Sequence, residues 1–297
     1  MSSMPANMQA PVDASRLPVT LPTLVEKQRL GEPLVMVTAY DFPSARAAEA
    51  AGVDLVLVGD SGAMTVLGYP STVAVTADEL LMLARAVRRG LRTPFLVGDL
   101  PFGSYEISGE QAVATAFRFV KEAGCDAVKL EGGGASSVAR ARAIVAAGIP
   151  VMGHVGLTPQ TATALGGYKA QGRSAVAAAR IAEEALALQE AGCFSLVFEA
   201  IPSAVAEVVM ERMEIPVIGI GAGPATDGQV LVFHDLLGIR EGRGARFVQR
   251  YAELQPQMNA GLAAFAADVR SGAYPAPEHG YAIDAAELAT FKKMVSR

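Results

Sequence analysis

The chain has 297 residues, of which 51% are hydrophobic and 19% are charged, and its net charge is −5. This composition excludes a largely disordered chain, and the absence of a basic run argues against a nucleic-acid partner, because phosphate binding needs concentrated positive charge. No apolar run approaches the roughly 20 residues needed to span a bilayer, and the first residues lack the cationic start and apolar segment of a signal peptide. We therefore expect a soluble, cytoplasmic protein with no membrane contact.

One pattern recurs along the chain: an Ala-rich helical stretch ends in glycine, and a short run rich in β-branched residues follows. Glycine suits the left-handed residue that ends a helix. The predicted strands, in chain order, are residues 34–40, 54–61, 94–101, 126–132, 150–159, 194–202 and 216–223, with a less pronounced eighth around Arg246–Val248. The predicted helices between them include Ala77–Arg89, Gly109–Ala123, Ser136–Ala147, Ser174–Ala191 and Ser203–Met213.

Alternating strands and helices predict a parallel sheet, and eight such units fit a single-domain (β/α)8 TIM barrel. A doubly wound open sheet is the structural alternative, but no GxGxxG motif follows the first strand. The predicted boundaries are a flexible N-terminal arm over 1–20, a catalytic barrel over 21–270 and a C-terminal tail over 271–297. After about Gln255 we expect a final helix and then an irregular segment.

The polar residues of the predicted strands collect at the carboxyl ends, which form the catalytic mouth of such a barrel. They are Asp60, Ser61, Asp99, Lys129, Glu131, His154 and Glu199. Since side chains alternate along a strand, a consistent interpretation points the acids inward, above an apolar interior. Carboxylates crowded there would repel one another, and a divalent cation would remove that repulsion. Carboxylate ligands with no Cys and few His favour Mg²⁺.

Each of these residues also has a structural interpretation. A single Asp at a strand end is most often a helix cap or a loop ion pair, although four acids at the same end of the barrel favour a shared site. Lys129 fits an ion pair with Glu131 as well as a substrate contact, and His154 fits a hydrogen-bonded core residue as well as a functional one. Cys125 and Cys193 begin their strands, at the end away from the mouth, and indicate neither catalysis nor a zinc site nor a disulfide.

Long motifs then appear in order between about Leu21 and Tyr281. They are GDS at 59–61, VGDLPFGSYE at 97–106, AVKLEGG at 127–133, GHVGLTPQ at 153–160, LGGYKAQGR at 165–173, VFEAIP at 197–202 and GIGAGPATDGQVLVFHDLLG at 219–238. In these motifs the chain resembles the ketopantoate hydroxymethyltransferases. The resemblance implies a Mg²⁺-dependent barrel of the phosphoenolpyruvate/pyruvate type that assembles as a homodecamer. It also implies transfer of a hydroxymethyl group from 5,10-methylenetetrahydrofolate to 3-methyl-2-oxobutanoate in pantothenate biosynthesis, giving 2-dehydropantoate and tetrahydrofolate.

The resemblance further implies a role for each residue at the strand ends. The implied metal ligands, two of them through water, are Asp60, Asp99 and Glu131. The implied substrate contacts are Asp60, Ser61, Asp99, Lys129 and His154. The implied catalytic base is Glu199.

The chain departs from the family pattern at two places. It reads Gly62-Ala63 where the family usually reads Leu-Gly, which leaves the conformation of this loop open. Thr226 stands where a cysteine is common, shortly after the GIGAG segment at 219–223. Those glycines fit close backbone packing under the mouth better than a phosphate cradle.

Together the residues suggest an enolate mechanism. Glu199 would remove the C3 proton of the 2-oxo acid, a bound Mg²⁺ would stabilise the enolate as a Lewis acid, and Lys129 would add positive charge beside it. One alternative is a Mg²⁺-dependent carbon–carbon lyase of a related 2-oxo acid barrel, although such enzymes carry a catalytic Cys at the mouth and this chain places none there. The other is a barrel that only binds a ligand, against which the intact Glu199 argues.

Overall fold

In the computed structural model, which describes residues 16–240, 242 and 244–296, parallel strands close into a barrel in chain order. Each strand pairs with the next, and the last pairs with the first. The strands are β1 (Leu34–Thr38), β2 (Leu55–Val58), β3 (Phe95–Asp99), β4 (Ala127–Lys129), β5 (Val151–Gly156), β6 (Ser195–Glu199), β7 (Val217–Ile220) and β8 (Gly228–Leu231). The predicted single-domain (β/α)8 barrel is confirmed.

Helices connect the strands and cover the outside of the barrel. They are α1 (Leu21–Leu30), α2 (Phe42–Ala51), α3 (Gly62–Thr65), α4 (Ala77–Gly90), α5 (Gly109–Ala123), α6 (Ala135–Ala146), α7 (Ala175–Glu190), α8 (Ser203–Met210), α9 (Phe233–Leu236), α10 (Leu254–Ser271) and α11 (Ala285–Val295). The predicted helix bounds agree to within one residue except for α8, which ends three residues earlier. None of the described helices is long and apolar enough to cross a membrane.

Two packed layers hold the barrel together. Inside it, residues such as Leu57, Val97 and Val197 form one apolar core. A larger core lies between the strands and the helices and includes Val56 and Phe119. Because most strand residues are buried on both faces, the strands are largely apolar, and the charged residues lie at the carboxyl ends. The exceptions are Val35 of β1 and Gln229 of β8, which are exposed.

The junction glycines serve two different purposes. Gly124 ends α5 in the left-handed conformation, with φ at 70°, as predicted for these junctions. Gly90 does not, because it is the last residue of α4. A Cβ on Gly90 would lie 2.6 Å from the Cβ of Ala45, so the glycine here permits close packing of α4 on α2.

The eighth strand was wrongly predicted at Arg246–Val248. The strand that closes the barrel is Gly228–Leu231, which pairs with β1 and β7. It was missed because its first residues, Gly228 and Gln229, give no apolar run. Gly228 is required there, since a Cβ would collide with the carbonyl oxygen of Leu34.

The chain ends differ from the irregular segments that were expected. Residues 1–15 of the predicted N-terminal arm lie outside the described residues, and at residues 16–20 the chain packs on the barrel, with the N–H of Val19 donating to the carbonyl of Thr93. The segment 271–297, predicted as a tail, contains the exposed helix α11. The domain boundaries themselves stay a prediction.

Candidate active site

One cavity at the carboxyl ends of the strands gathers every candidate residue predicted from the sequence. It has a volume of about 230 Å³. Its lining includes Asp60, Ser61, Asp99, Lys129, Glu131, His154 and Glu199. The structure therefore brings together residues that are spread over 140 positions of the chain, from position 60 to position 199.

The positions of most of these side chains follow from strand alternation. Asp99 lies on the same face of β3 as Val97, and Glu199 on the same face of β6 as Val197, above the interior core. Asp60 reaches the cavity by another route. On β2 the inward residues are Leu55 and Leu57, so strict alternation from Val58 would turn Asp60 outward. The prediction that Asp60 continues the inward face was wrong: the strand ends at Val58, and the chain turns into α3.

Lys129 and Asp99 form a buried ion pair at the floor of the cavity. They are register partners on β4 and β3, and the Nζ of Lys129 donates to both carboxylate oxygens of Asp99 at 2.8 and 2.9 Å. Burial opposes the lysine's charge, but the carboxylates of Asp99 and Glu131 raise the pKa of Lys129 above its usual value. The ammonium is therefore a fixed positive charge facing the cavity. Its pairing was predicted with Glu131, which is the more distant partner at 3.6 Å.

The surroundings of Asp60 oppose the ionisation of its carboxyl group. Burial, reinforced by the charges of Asp99 and Glu131, raises the pKa of Asp60 well above its ordinary value. Burial also raises the pKa of Asp99, against the opposing effect of Lys129. The two aspartates adjoin, since the backbone N–H of Asp60 donates to Asp99 Oδ2 at 3.1 Å. A cation between them would relieve this crowding.

Gln160 is a structural organiser of the cavity that the sequence interpretation missed. It is buried in the 3₁₀ turn Pro159–Thr161. Its side-chain amide donates to Asp60 Oδ2 at 3.1 Å, and its backbone N–H donates to Glu131 Oε2 at 3.0 Å. The hydroxyl of Tyr105 donates to its Oε1 at 2.7 Å. Gln160 does not lie at the end of a strand, so the pattern of polar residues at strand ends could not identify it. The only sequence feature that includes it is the GHVGLTPQ motif.

His154 lies between two carboxylates. Its Nδ1 is 3.4 Å from Glu131 Oε1, and its Nε2 is 3.3 Å from Glu199 Oε2. Neither nitrogen makes a well-aligned hydrogen bond, so these contacts are chiefly electrostatic. Burial opposes protonation, but the two carboxylates raise the pKa of His154 to about 9. The imidazole is therefore charged at neutral pH and links Glu131 to Glu199.

The backbone around Glu199 is constrained. Ala200, the next residue, has a φ of 48°, a left-handed conformation that is uncommon outside glycine. It is held there by hydrogen bonds from its N–H to the carbonyl of Ile220 and from the N–H of Gln171 to its own carbonyl, both at 2.9 Å. Backbone strain of this kind is often found at active sites, where the orientation of a neighbouring side chain matters for function.

The conformation of the loop that contains Gly62-Ala63, which the sequence left open, is defined in the structure. It forms the single helical turn α3, and Gly62 packs against the ring of Tyr40, where a Cβ would lie 2.7 Å from Cδ1. The hydroxyl of Tyr40 in turn shares a 2.8 Å hydrogen bond with Ser61 Oγ. The small residue thus lets a buried tyrosine orient the serine at the cavity wall.

Other residues are placed as expected outside the cavity. Cys125 and Cys193 are buried, and burial raises the pKa of each thiol to about 12, so neither resembles a reactive thiolate. Glycines 219, 221 and 223 allow close packing, since a Cβ at Gly221 would lie 2.5 Å from the ring of Phe247. Thr226 hydrogen-bonds the carbonyl of Gly228 at 2.9 Å and plays a local structural role.

The acids of the cavity meet only part of the requirements of a metal site. Within the described part of the chain, no group of three or more His, Cys, Asp or Glu side chains is arranged to hold a metal ion. Asp60, Asp99 and Glu131 are therefore not assembled as three direct ligands, because the carboxylate of Glu131 already contacts Lys129, His154 and Gln160. Asp60 and Asp99 nevertheless suit a hard cation, as adjoining buried oxygen donors whose charge is incompletely balanced.

Comparison with known proteins gives a consistent result over nearly the whole chain. A family model described as ketopantoate hydroxymethyltransferase matches residues 18–277. A 3-methyl-2-oxobutanoate hydroxymethyltransferase of Thermus thermophilus is 53% identical over 252 residues, which are 84% of this chain and 95% of the relative. A mitochondrial enzyme of the same name from Arabidopsis thaliana is 50% identical over 279 residues, covering 92% of this chain and 80% of the relative.

Solved structures of distant sequence share the fold. Phosphonopyruvate hydrolase, in a complex with oxalate and Mg²⁺, superposes with a TM-score of 0.58 at 14% identity, covering 93% of this chain and 96% of that one. The 2,3-dimethylmalate lyase, a member of the PEP mutase/isocitrate lyase superfamily, gives a TM-score of 0.57 at 17% identity, covering 85% and 88%. These structures therefore share the closed parallel barrel fold with this chain.

Proposed function

The chain belongs to the ketopantoate hydroxymethyltransferase family, and on that premise we propose how its residues transfer a hydroxymethyl group to 3-methyl-2-oxobutanoate in pantothenate biosynthesis. The observation that carries the proposal is the cavity that is lined both by a partly exposed carboxylate, Glu199, and by the ammonium of Lys129. Such a pair can take a proton from the carbon next to a carbonyl and stabilise the charge that develops on oxygen.

Glu199 is the carboxylate best placed to act as the base. The side chain of Glu199 is 16% exposed, whereas that of Glu131 is 2% exposed. Both oxygens of Asp99 accept from Lys129, and Asp60 accepts from Gln160. Among the described residues, His154 is the one ion-pair partner of Glu199, at Oε2, which leaves Oε1 to accept the C3 proton. His154, which lies 3.3 Å from Glu199 Oε2, would orient the Glu199 carboxylate.

The opposite wall of the cavity would hold the oxygens of the 2-oxo acid. Asp60 and Asp99 would bind a Mg²⁺ ion, with Glu131 beside them through water. When bound, this ion would act as a Lewis acid toward the developing enolate. Lys129 would add its charge, and Ser61, oriented by Tyr40, would donate a hydrogen bond to the substrate.

The enolate carbon would then form a bond to the one-carbon unit of 5,10-methylenetetrahydrofolate, and a water molecule would supply the oxygen of the hydroxymethyl group, so that tetrahydrofolate and 2-dehydropantoate are released. We expect this chemistry in the cytoplasm. A carbon–carbon lyase finds no support in the cavity, because both cysteines are buried elsewhere. A barrel that only binds its ligand would not need a partly exposed carboxylate in the same cavity as the ammonium of Lys129.

Turnover with both substrates tests this function. Tetrahydrofolate should be released only when 3-methyl-2-oxobutanoate, methylenetetrahydrofolate and Mg²⁺ are all present, and 2-dehydropantoate should appear in equal amount. The measurement is a coupled assay of tetrahydrofolate with mass spectrometry of the 2-oxo acids. Cleavage of a 2-oxo acid without folate would instead indicate a lyase, and binding without any product would indicate a ligand-binding barrel.

We also propose that the protein is a homo-oligomer, in agreement with the predicted decamer. No residue of α10 is buried, and one face of this helix presents Met258, Leu262, Phe265 and Val269. A groove of about 800 Å³ lies uncovered between α1 and β8, and Val35 beside it is 50% exposed. Apolar surfaces of this extent are usually covered by a partner. We propose that a second copy of the chain covers the apolar face of α10 and the groove between α1 and β8.

Light scattering tests the assembly. We expect a mass several times the 30.8 kDa of one chain. Replacing both Leu262 and Phe265 with glutamate should lower that mass, because two charges would enter the apolar contact. Ala260 and Ala267 lie on the other face of α10, so the matched double glutamate variant there should keep the wild-type mass. A wild-type monomer would contradict the proposal.

A further inference from the structure

One polar side chain of the active-site cavity has no part in the reaction proposed above. Thr72 lines the cavity and is only 3% exposed, yet its hydroxyl makes no hydrogen bond to any described residue. A buried hydroxyl without a partner raises the free energy of the folded protein, and most buried polar groups are paired. The unpaired hydroxyl therefore indicates a partner that the chain itself does not supply.

The other buried polar side chains of the cavity differ from Thr72 in this respect. The hydroxyl of Ser61 has a hydrogen-bond partner in the chain, and so does that of Thr38. The ring nitrogens of His154 make no aligned hydrogen bond, but each lies 3.4 Å or less from a carboxylate oxygen. Among the described residues of the lining, Thr72 is thus the one whose buried polar atom has no partner.

The backbone that carries Thr72 is held on both sides by contacts of its own. Thr72 begins a 3₁₀ turn, Thr72–Ala74. Before the turn, the hydroxyl of Tyr69 donates to Glu79 Oε1 at 2.7 Å. After the turn, Thr76 and Glu79 form the reciprocal capping box that begins α4. The position of Thr72 is therefore set before any ligand arrives, which lowers the entropic cost of binding one.

The turn of Thr72 lies on the side of the cavity where the proposed function places the substrate oxygens. The turn packs against α3, which begins directly after Ser61, and against the 3₁₀ turn that contains Gln160. Ser61 would donate to the 2-oxo acid, and Gln160 donates to Asp60. A carboxylate can accept about four hydrogen bonds, which is more than Ser61 alone supplies. The acid thus offers the acceptor that the hydroxyl of Thr72 lacks.

We propose that the hydroxyl of Thr72 donates a hydrogen bond to a carboxylate oxygen of the bound 2-oxo acid, which makes Thr72 a further substrate-binding residue of this cavity. The inference rests on the proposed function, which supplies the acid. Thr72 would be a neutral donor beside the charge of Lys129, and it would contribute to binding rather than to proton removal. The same hydroxyl destabilises the free protein slightly and stabilises the complex.

Thr72→Val tests the proposal, because valine keeps the shape of threonine and removes the hydroxyl. With saturating Mg²⁺, calorimetry should show that the affinity for 3-methyl-2-oxobutanoate falls by about tenfold or more, as expected for the loss of a hydrogen bond to a charged group. KM for the acid should rise by the same factor, while kcat and KM for methylenetetrahydrofolate stay within about threefold of wild type. Thr72→Ser, which keeps the hydroxyl, should bind the acid nearly as tightly as wild type.

The stability of the ligand-free protein gives a second measurement. The urea midpoint of Thr72→Val should stay at the wild-type value or rise, because the change removes a buried hydroxyl that has no partner. Thr115→Val is the matched control. Thr115 is also buried, but its hydroxyl donates to the carbonyl of Ser104 at 2.6 Å, and it does not line the cavity. This variant should lower the urea midpoint and leave the affinity for the acid unchanged.

Three results would overturn the proposal. Thr72→Val could bind the acid as tightly as wild type, or Thr72→Ser could lose as much affinity as Thr72→Val, which would assign the effect to packing. A loss of Mg²⁺ affinity in Thr72→Val without the acid would assign the hydroxyl to the metal site instead. Failure of the proposed function is a separate result, because the wild-type protein would then release no tetrahydrofolate.

Discussion

Replacing Glu199 with glutamine should slow hydroxymethyl transfer by about 10²–10⁴-fold, the usual effect of removing a general base. Glutamine keeps the size of the side chain but cannot accept the C3 proton. Exchange of that proton with D₂O should slow by the same factor, because removal of the C3 proton by Glu199 is required for both exchange and transfer. Binding of 3-methyl-2-oxobutanoate should change little, because Lys129 and the Mg²⁺ that Asp60 and Asp99 would hold would carry most of it. Steady-state kinetics and NMR exchange on the same preparation give both factors.

The matched control for this variant is Glu207→Gln. Glu207 is an exposed residue of α8, so the variant makes the same chemical change outside the cavity and should keep wild-type rates. If Glu199→Gln exchanges the proton as fast as wild type but fails in transfer, Glu199 acts in the folate half of the reaction. The base would then be another group, and His154 is the nearest candidate.

Removing the carboxylate of Asp60 should abolish the Mg²⁺-dependent activity and leave the fold intact. Loss of a metal ligand should weaken Mg²⁺ binding by about 10²-fold or more, beyond the 10–100-fold typical of residues that only support ligands. Burial and neighbouring acids raise the pKa of Asp60, so its ionised form destabilises the metal-free protein at neutral pH. Asp60→Asn should therefore keep or increase the urea midpoint while Mg²⁺ affinity falls. Calorimetric titration with Mg²⁺ and urea unfolding measure the two effects.

Asp99→Ala should weaken Mg²⁺ binding too, but at a cost in stability. It leaves the buried ammonium of Lys129 without its close partner, with Glu131 3.6 Å away, and uncompensated buried charges typically cost about 3–5 kcal/mol. The opposite signs of the two stability changes distinguish the proposed metal pair from a purely structural cluster. Asp78→Ala, at an exposed ion pair, is the control. Wild-type metal affinity in Asp60→Asn would show that the metal site is wrongly placed.

The sequence predicts most of the fold because its signals are local. The apolar strands and the glycines between helix and strand alternate regularly, and the bounds of α5 are predicted to the residue. Asp99, Lys129 and Glu199 follow from alternation along strands whose carboxyl ends meet at the mouth. β8 could not be predicted in this way, because it is short and begins with Gly228 and Gln229. Its identity as a strand depends on pairing with β1 and β7, which are distant in sequence.

The details of the cavity depend on contacts that no local pattern encodes. Asp60 enters the cavity because the chain turns after β2, which alternation alone cannot predict. Gln160 connects Asp60 with Glu131 across 100 and 29 positions of the chain. Only the closed barrel places them together.

The most direct test of the enolate mechanism is an NMR time course of 3-methyl-2-oxobutanoate with the wild-type protein in D₂O, without folate. We expect the methyl doublet to collapse as the C3 hydrogen is replaced by deuterium, at a rate that falls sharply when EDTA removes Mg²⁺ and in Glu199→Gln. Retention of the C3 hydrogen would contradict the mechanism if the same preparation, supplied with methylenetetrahydrofolate, released tetrahydrofolate. In that case the enolate would not form independently in the cavity of Lys129 and Glu199.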